Sequence, residues 1–107
     1  MGNVFGIAEW MGSGPPQLHV HYEDDEAWHV LEGTIEFRFG DDERQEVAAG
    51  DTVFVPAGVA YTYVTSDDAR YLIVFTPRLD ALIAELHTLP PAEHADAYRR
   101  HASELLE

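Results

Sequence analysis

His19-Val20-His21-Tyr22-Glu23-Asp24-Asp25-Glu26 sets two histidines one residue apart ahead of a run of carboxylates. In an extended chain residues i and i+2 point to the same face, roughly 6.5–7 Å apart, so a strand here turns both imidazoles toward one point. Glu26 comes five residues after His21, and strict alternation would send it to the opposite face. The polar run from Tyr22 to Asp25 must therefore turn or bulge if Glu26 is to join the histidines. Two His and one carboxylate form the donor set of a facial triad on a divalent metal with open coordination positions. The plainer alternative is a pair of solvated histidines followed by a solvated acidic loop.

The flanking sequence is punctuated into short strands. Asn3 to Met11 reads as an N-terminal strand, residues 12–16 (Gly-Ser-Gly-Pro-Pro) as a loop, and Gln17 to His21 as the strand carrying the histidine pair. Glu26 to Leu31 follows, closed by Glu32-Gly33. Its period of two turns Glu26, Trp28 and Val30 inward and leaves His29 as a surface histidine. Thr34 to Phe39 places Ile35, Phe37 and Phe39 on one face. Residues 40–43 (Gly-Asp-Asp-Glu) then connect a hairpin to Arg44–Ala49. Thr52–Val55, Tyr61–Val64 and Tyr71–Phe75 complete the set, each bounded by turn residues. Many short, evenly spaced strands indicate an all-β sandwich or barrel.

The period changes after Thr76-Pro77. Leu79, Leu82, Ile83 and Leu86 recur at helical spacing, with Thr76 as N-cap and Pro77 in the first helical position. Leu89-Pro90-Pro91 ends this helix, and Ala92 to Leu106 reads as a second one with a weaker apolar stripe. His87, His94 and His101 are spaced by seven and fall on solvated helix faces, with no carboxylate arrangement to single out a second metal site. The expected organisation is one domain over residues 1–107, a barrel to about 76 and a helical extension from about 77 to 107.

Composition narrows the partners. Of 107 residues 46% are apolar, ordinary for a folded chain, and the net charge is −14. All the basic residues are Arg, too few to build a basic patch, which argues against nucleic acid and anionic membranes as partners. The chain has no Cys, which removes thiol catalysis, thiolate metal sites and disulfides. There is no apolar run of transmembrane length and no signal-like start, so a cytoplasmic location is expected.

Two spaced motifs give the chain a resemblance. Gly14-x4-His19-x-His21-x4-Glu26-x6-Gly33 resembles the first motif of the cupins, one residue short between the first Gly and the first His. Gly50-x5-Pro56-x-Gly58-x2-Tyr61-x3-Thr65 resembles the second, where the family normally has His at position 61 and Asn at position 65. Residues 23–33 (Glu-Asp-Asp-Glu-Ala-Trp-His-Val-Leu-Glu-Gly) are similar to the quercetinase-like single-domain cupins.

The resemblance implies a single cupin β-barrel (a double-stranded β-helix, or jelly roll) with a C-terminal pair of α-helices. It also implies one divalent transition metal ion (Fe, Mn, Ni, Cu or Zn) on His19, His21 and Glu26, with Tyr61 in the fourth ligand position. Three roles are open to Tyr61: phenolate ligand, hydrogen-bond donor or acid/base toward substrate, or filler of the interior. The larger reach of tyrosine favours the second over direct ligation. Trp28, Phe37 and Tyr63 are candidates for substrate contact, after their first role as core, with Phe54 or Phe75 nearby.

The function implied is that of an oxygenase acting on a small organic substrate, aromatic ones included, with Tyr61 and Glu26 as catalytic groups. A redox-neutral cyclase or isomerase and a non-catalytic small-molecule carrier are the alternatives. A homodimer is expected because open strand edges need cover.

Overall fold

The structure, a computed structural model, describes residues 6–11 and 17–106. The expectations for residues 3–5, for the loop at 12–16 and for Gly14 fall outside the described residues. In chain order the elements are β1 (Gly6–Met11), β2 (His19–His21), β3 (Glu26–Glu32), β4 (Thr34–Phe39), β5 (Arg44–Ala48), β6 (Thr52–Val55), β7 (Tyr61–Thr65) and β8 (Arg70–Phe75). Then come α1 (Pro77–Leu86), a 3-10 turn at Pro91–Glu93, α2 (His94–Arg100) and β9 (Ser103–Leu105).

The strands form two antiparallel sheets, ordered β1-β8-β3-β6 and β5-β4-β7-β2-β9. Among the described residues no pairing joins one sheet to the other, so the expected closed barrel is an open two-layer arrangement. The reason is local. β2 is three residues long, meets β7 only at His19↔Tyr61, and gives its other edge to β9.

The layers are glued by alternation. Along β3, Glu26, Trp28 and Val30 are buried while His29 lies on the outer side, its Nδ1 2.8 Å from the Thr52 hydroxyl. Trp28 crosses the gap between sheets, edge-on to Phe37 at 5.4 Å and to Tyr63 at 4.6 Å, and stacks on Tyr71 of its own sheet at 5.3 Å. Each such aromatic pair adds roughly 0.5–1.5 kcal/mol beyond its buried area. Gly33 makes the turn from β3 to β4 with φ +72°, where a Cβ would come within 2.5 Å of the Ser66 hydroxyl. Only glycine suits both demands.

α1 forms as expected, with Thr76 accepting from the Leu79 N–H at 3.3 Å, Pro77 at its start, and Leu79 and Leu82 buried. The second helix departs from expectation. It ends at Arg100 rather than running to Leu106, and the chain reverses through Ala102, a non-glycine residue at φ 54°. Ser103–Leu105 then pairs with β2, at His21↔Ser103, Val20↔Glu104 and His19↔Leu105. The weak apolar stripe gave a helix little to bury, whereas the bare edge of β2 offers backbone partners. Glu85 pins this reversal to α1 by accepting from Arg100 and from His101 Nε2, the latter at 2.7 Å. Among the described residues no helix is long and apolar enough to cross a membrane.

Candidate functional site

The histidines and Glu26 come from different sheets. β2 lies in the five-stranded sheet and β3 in the four-stranded one, so Tyr22–Asp25 is the crossing between layers. This settles the alternation problem, because Glu26 meets the histidines from the facing layer rather than along the same strand. Its Oε1 is 3.7 Å from His21 Nε2. The crossing is solvated at Tyr22, Glu23 and Asp25 but anchored inward. Asp24 is buried, accepting from the Thr76 hydroxyl at 2.8 Å and pairing with Arg78 at 3.5 Å. Asp25 accepts from the Ala57 N–H at 2.8 Å, and the His21 carbonyl accepts from the Gly58 N–H at 2.8 Å. The Pro56-Ala57-Gly58 turn thus braces the strand before the crossing and the crossing itself.

Both imidazoles are buried, with ring centroids 4.9 Å apart. The Gln17 carbonyl accepts from His19 Nδ1 at 2.7 Å. A carbonyl can only accept, so His19 carries its proton on Nδ1 and its lone pair on Nε2. His21 Nδ1 lies 2.7 Å from the Ser103 hydroxyl. Burial lowers the pKa of His19, partly offset by its bond to Gln17. Burial, then the neighbouring His19, lowers that of His21 to about 3. At neutral pH both rings are uncharged, the form in which histidine ligates metals.

Glu26 moves the other way. Burial pushes its carboxyl up to about 7, against a hydrogen bond from the Tyr61 hydroxyl that favours the ionised form, and with repulsion from Asp24 adding to the rise. Tyr61 is fully enclosed, and burial followed by the charge of Glu26 raises its phenol well above the usual tyrosine range. It is a proton donor to Glu26. Its ring lies 4.5 Å from that of His19, its cross-strand partner.

These groups share a cavity of about 480 Å³. Trp28, Tyr63, Tyr71 and Ile73 line it from the sheets, and Leu79, Leu82, Ile83 and Leu86 of α1 close over it. Trp28 and Tyr63, the candidates for substrate contact, thus line the cavity. Phe37 does not line the cavity; it is wholly buried behind Trp28 as core. Tyr98 of α2 also lines the cavity, its ring parallel to that of His21 at 6.3 Å. Burial and then Glu26 push its phenol up to about 12.

Residues 7–75 match the cupin domain family. The chain is a cupin. Its likeness to a curated but uncharacterised protein of Streptomyces coelicolor is 40% identity over 68 residues, 63% of this cupin and 64% of that protein's length. Among solved structures it is similar to a cupin-2 domain protein of Shewanella frigidimarina (26% identity, TM-score 0.55, covering 65% of this cupin and 66% of that chain). It is also similar to the polyketide cyclase RemF of Streptomyces resistomycificus (27% identity, TM-score 0.56, covering 66% of this cupin and 53% of that chain).

Among the described residues of this cupin, no three His, Asp or Glu side chains are already gathered tightly enough to hold an ion. The donor chemistry nonetheless fits one: two uncharged imidazoles, each engaged through Nδ1, and a carboxyl beside the second. A hydrogen bond on the far ring nitrogen is the usual support of a metal-ligating histidine.

Sequence reasoning missed four groups. His87 is exposed, as expected, yet also lines the cavity, against Trp10 at 5.9 Å; His94 is half-buried and lines it too, donating to the Leu89 carbonyl at 3.0 Å. Tyr98 and Ser103 were read as parts of a plain amphipathic helix. Tyr98 falls on the apolar stripe of the expected helix with no sign of what it packs against, and Ser103 could not be marked because its position follows from the chain reversal after α2.

Proposed function

We propose that this cupin is a metal-dependent enzyme of oxygenase type, acting on a small, neutral, oxygen-bearing organic molecule. The observation that carries the reading is the convergence of His19, His21 and Glu26 from two sheets onto one apolar cavity, with both imidazoles uncharged and held through Nδ1. These three side chains would hold the ion. Bound there, a divalent ion would polarise a substrate oxygen and, if redox-active, bring O₂ within reach of the substrate.

The remaining groups bind and orient. Among the described residues no Arg or Lys lines the cavity, and the chain carries a net charge of −14. An anionic substrate would enter an unfavourable potential, so a neutral one is favoured. Trp28 and Tyr63 offer aromatic walls to a flat ring. Tyr61 holds the Glu26 carboxyl in place by donating to it, and α1 gives the site an apolar wall of Leu79, Leu82, Ile83 and Leu86. The two layers support a jelly roll, and a cytoplasmic setting belongs to the same proposal.

The test is metal content after purification without a metal-affinity tag, followed by O₂ uptake with iron-loaded protein and a panel of neutral aromatic alcohols and ketones. About one ion per chain and substrate-dependent O₂ uptake are expected. Protein that cannot be loaded with any divalent transition metal overturns the reading and leaves a non-catalytic small-molecule carrier.

A redox-neutral cyclase or isomerase is a second reading, favoured by the 27% identity to a polyketide cyclase and by a carboxyl near neutrality bonded to a phenol, a pair suited to moving protons. Turnover under nitrogen with zinc in place of iron would select it.

Tyr61→Phe separates support from ligation. Removal of an outer partner lowers metal affinity by about 10–100-fold, so the variant should still take up an ion at saturating metal. Complete loss of uptake would make Tyr61 a ligand.

The homodimer belongs to this proposal as well. Ile7, Val74, Ala27 and Phe54 are register partners in a row across all four strands of the first sheet, with Ile7 and Phe54 well exposed. In so acidic a chain, this uncharged row is where a second copy meets least repulsion. Sedimentation should give a dimer at micromolar concentration and a monomer for Phe54→Glu; a monomeric wild type would end the idea.

A further inference from the structure

We infer that Ser103, on a strand outside the matched cupin domain, is a positioning residue that fixes the tautomer of His21 and so makes its Nε2 a metal-binding nitrogen. The inference rests on the reading of His21 as a ligand and concerns what makes it one.

A histidine beside a serine is ambiguous, because a hydroxyl can donate or accept. If Ser103 donated to Nδ1, the proton of His21 would sit on Nε2 and block ligation. The structure resolves the direction. Ser103 Oγ donates to the His101 carbonyl at 3.0 Å, and a hydroxyl has only one proton to give. The oxygen facing His21 at 2.7 Å therefore accepts, and Nδ1 carries the proton. The lone pair is left on Nε2, the atom 3.7 Å from Glu26.

The geometry behind this relay is built in. His101 is the C-cap of α2, where a carbonyl lacks its helical partner and needs a donor. Ala102, at φ 54°, turns the chain so that Ser103 falls opposite His21 in the β2–β9 register. Backbone bonds on either side hold that register, Tyr22 N–H to the Ala102 carbonyl and Leu106 N–H to the Leu18 carbonyl, both 2.8 Å. Tyr98 of α2 lies parallel to the His21 ring, centroids 6.3 Å apart. Ser103 is buried, so water cannot readily take its place. The matched cupin domain ends at residue 75, yet one of the two histidines of the site takes its orientation from residue 103.

The test compares wild type, Ser103→Ala and Ser103→Thr. Imidazole ¹⁵N NMR of the metal-free protein at pH 7 reads the tautomer of His21 directly, and cobalt(II) titration reads affinity. The wild type should show the Nδ1–H form, Ser103→Ala should gain the Nε2–H form, and cobalt affinity should fall about 10–100-fold. Ser103→Thr keeps the hydroxyl and should restore both. An Nε2–H tautomer in the wild type, or no change of tautomer and affinity in Ser103→Ala, overturns the inference. If the tautomer responds to Ser103 but the wild type takes up no cobalt, the metal reading has failed and the proposed role falls with it. The NMR result distinguishes that failure from one confined to Ser103.

Discussion

His21→Ala is expected to abolish metal uptake while leaving a folded protein. His21 is the donor closest to Glu26, and its ring, unlike that of His19, is held by a side chain of the C-terminal strand. Removing it leaves one imidazole and one carboxyl. The loss should exceed the roughly 10–100-fold that follows removal of an outer partner, so untagged variant protein should contain almost no metal and fail to titrate with cobalt. The variant should keep its fold, because β2 is held through its backbone to β7 and β9. Circular dichroism and metal analysis on the same sample make the check. A folded variant that retains one ion per chain would remove His21 from the site and take the proposed chemistry with it.

The second large effect is on stability. Phe37 has no exposed surface and sits between Trp28 of the facing sheet and Phe39 and Tyr63 of its own. Phe37→Ala removes a ring from the packed centre, and substitutions of this kind cost about 3–5 kcal/mol through lost burial and the void left behind. Against a total of about 5–15 kcal/mol for an ordinary domain, the variant should be marginal. Urea denaturation should show the midpoint falling sharply with the slope little changed. A loss below about 1 kcal/mol would mean that Phe37 is not the core residue its burial makes it. Since Phe37 does not line the cavity, Phe37→Leu should retain ligand binding close to that of the wild type.

Much of the layered fold is legible in the sequence because alternation is a direct record of which side of a strand is wet. Glu26, Trp28 and Val30 face inward and His29 outward, as period two requires. The hairpin from Thr34 to Ala48 and the start of α1 at Thr76-Pro77 follow from turn and cap chemistry that acts over a few residues. What was not legible depends on distant partners. Whether Ser103–Leu105 is helix or strand turns on an edge that β2 leaves open more than eighty positions earlier. Glu26 could be assigned to the histidines, but not to the facing sheet, because the crossing at Tyr22–Asp25 is fixed by Thr76, Arg78 and Ala57. The open rather than closed layers likewise depend on how little of β2 pairs with β7.

Because His19 and His21 belong to one sheet and Glu26 to the other, the bite of the donor set is a property of the interior that separates them. Packed sheets lie about 10 Å apart, a distance set by the side chains between them. Here Trp28, Phe37 and Tyr63 act as the spacer. A large volume change among them would alter the gap between the histidines and Glu26, and of the three only Phe37 does so from outside the cavity lining. If the proposed ion is held there, its fit would depend on the hydrophobic bulk between the sheets as well as on the donors themselves.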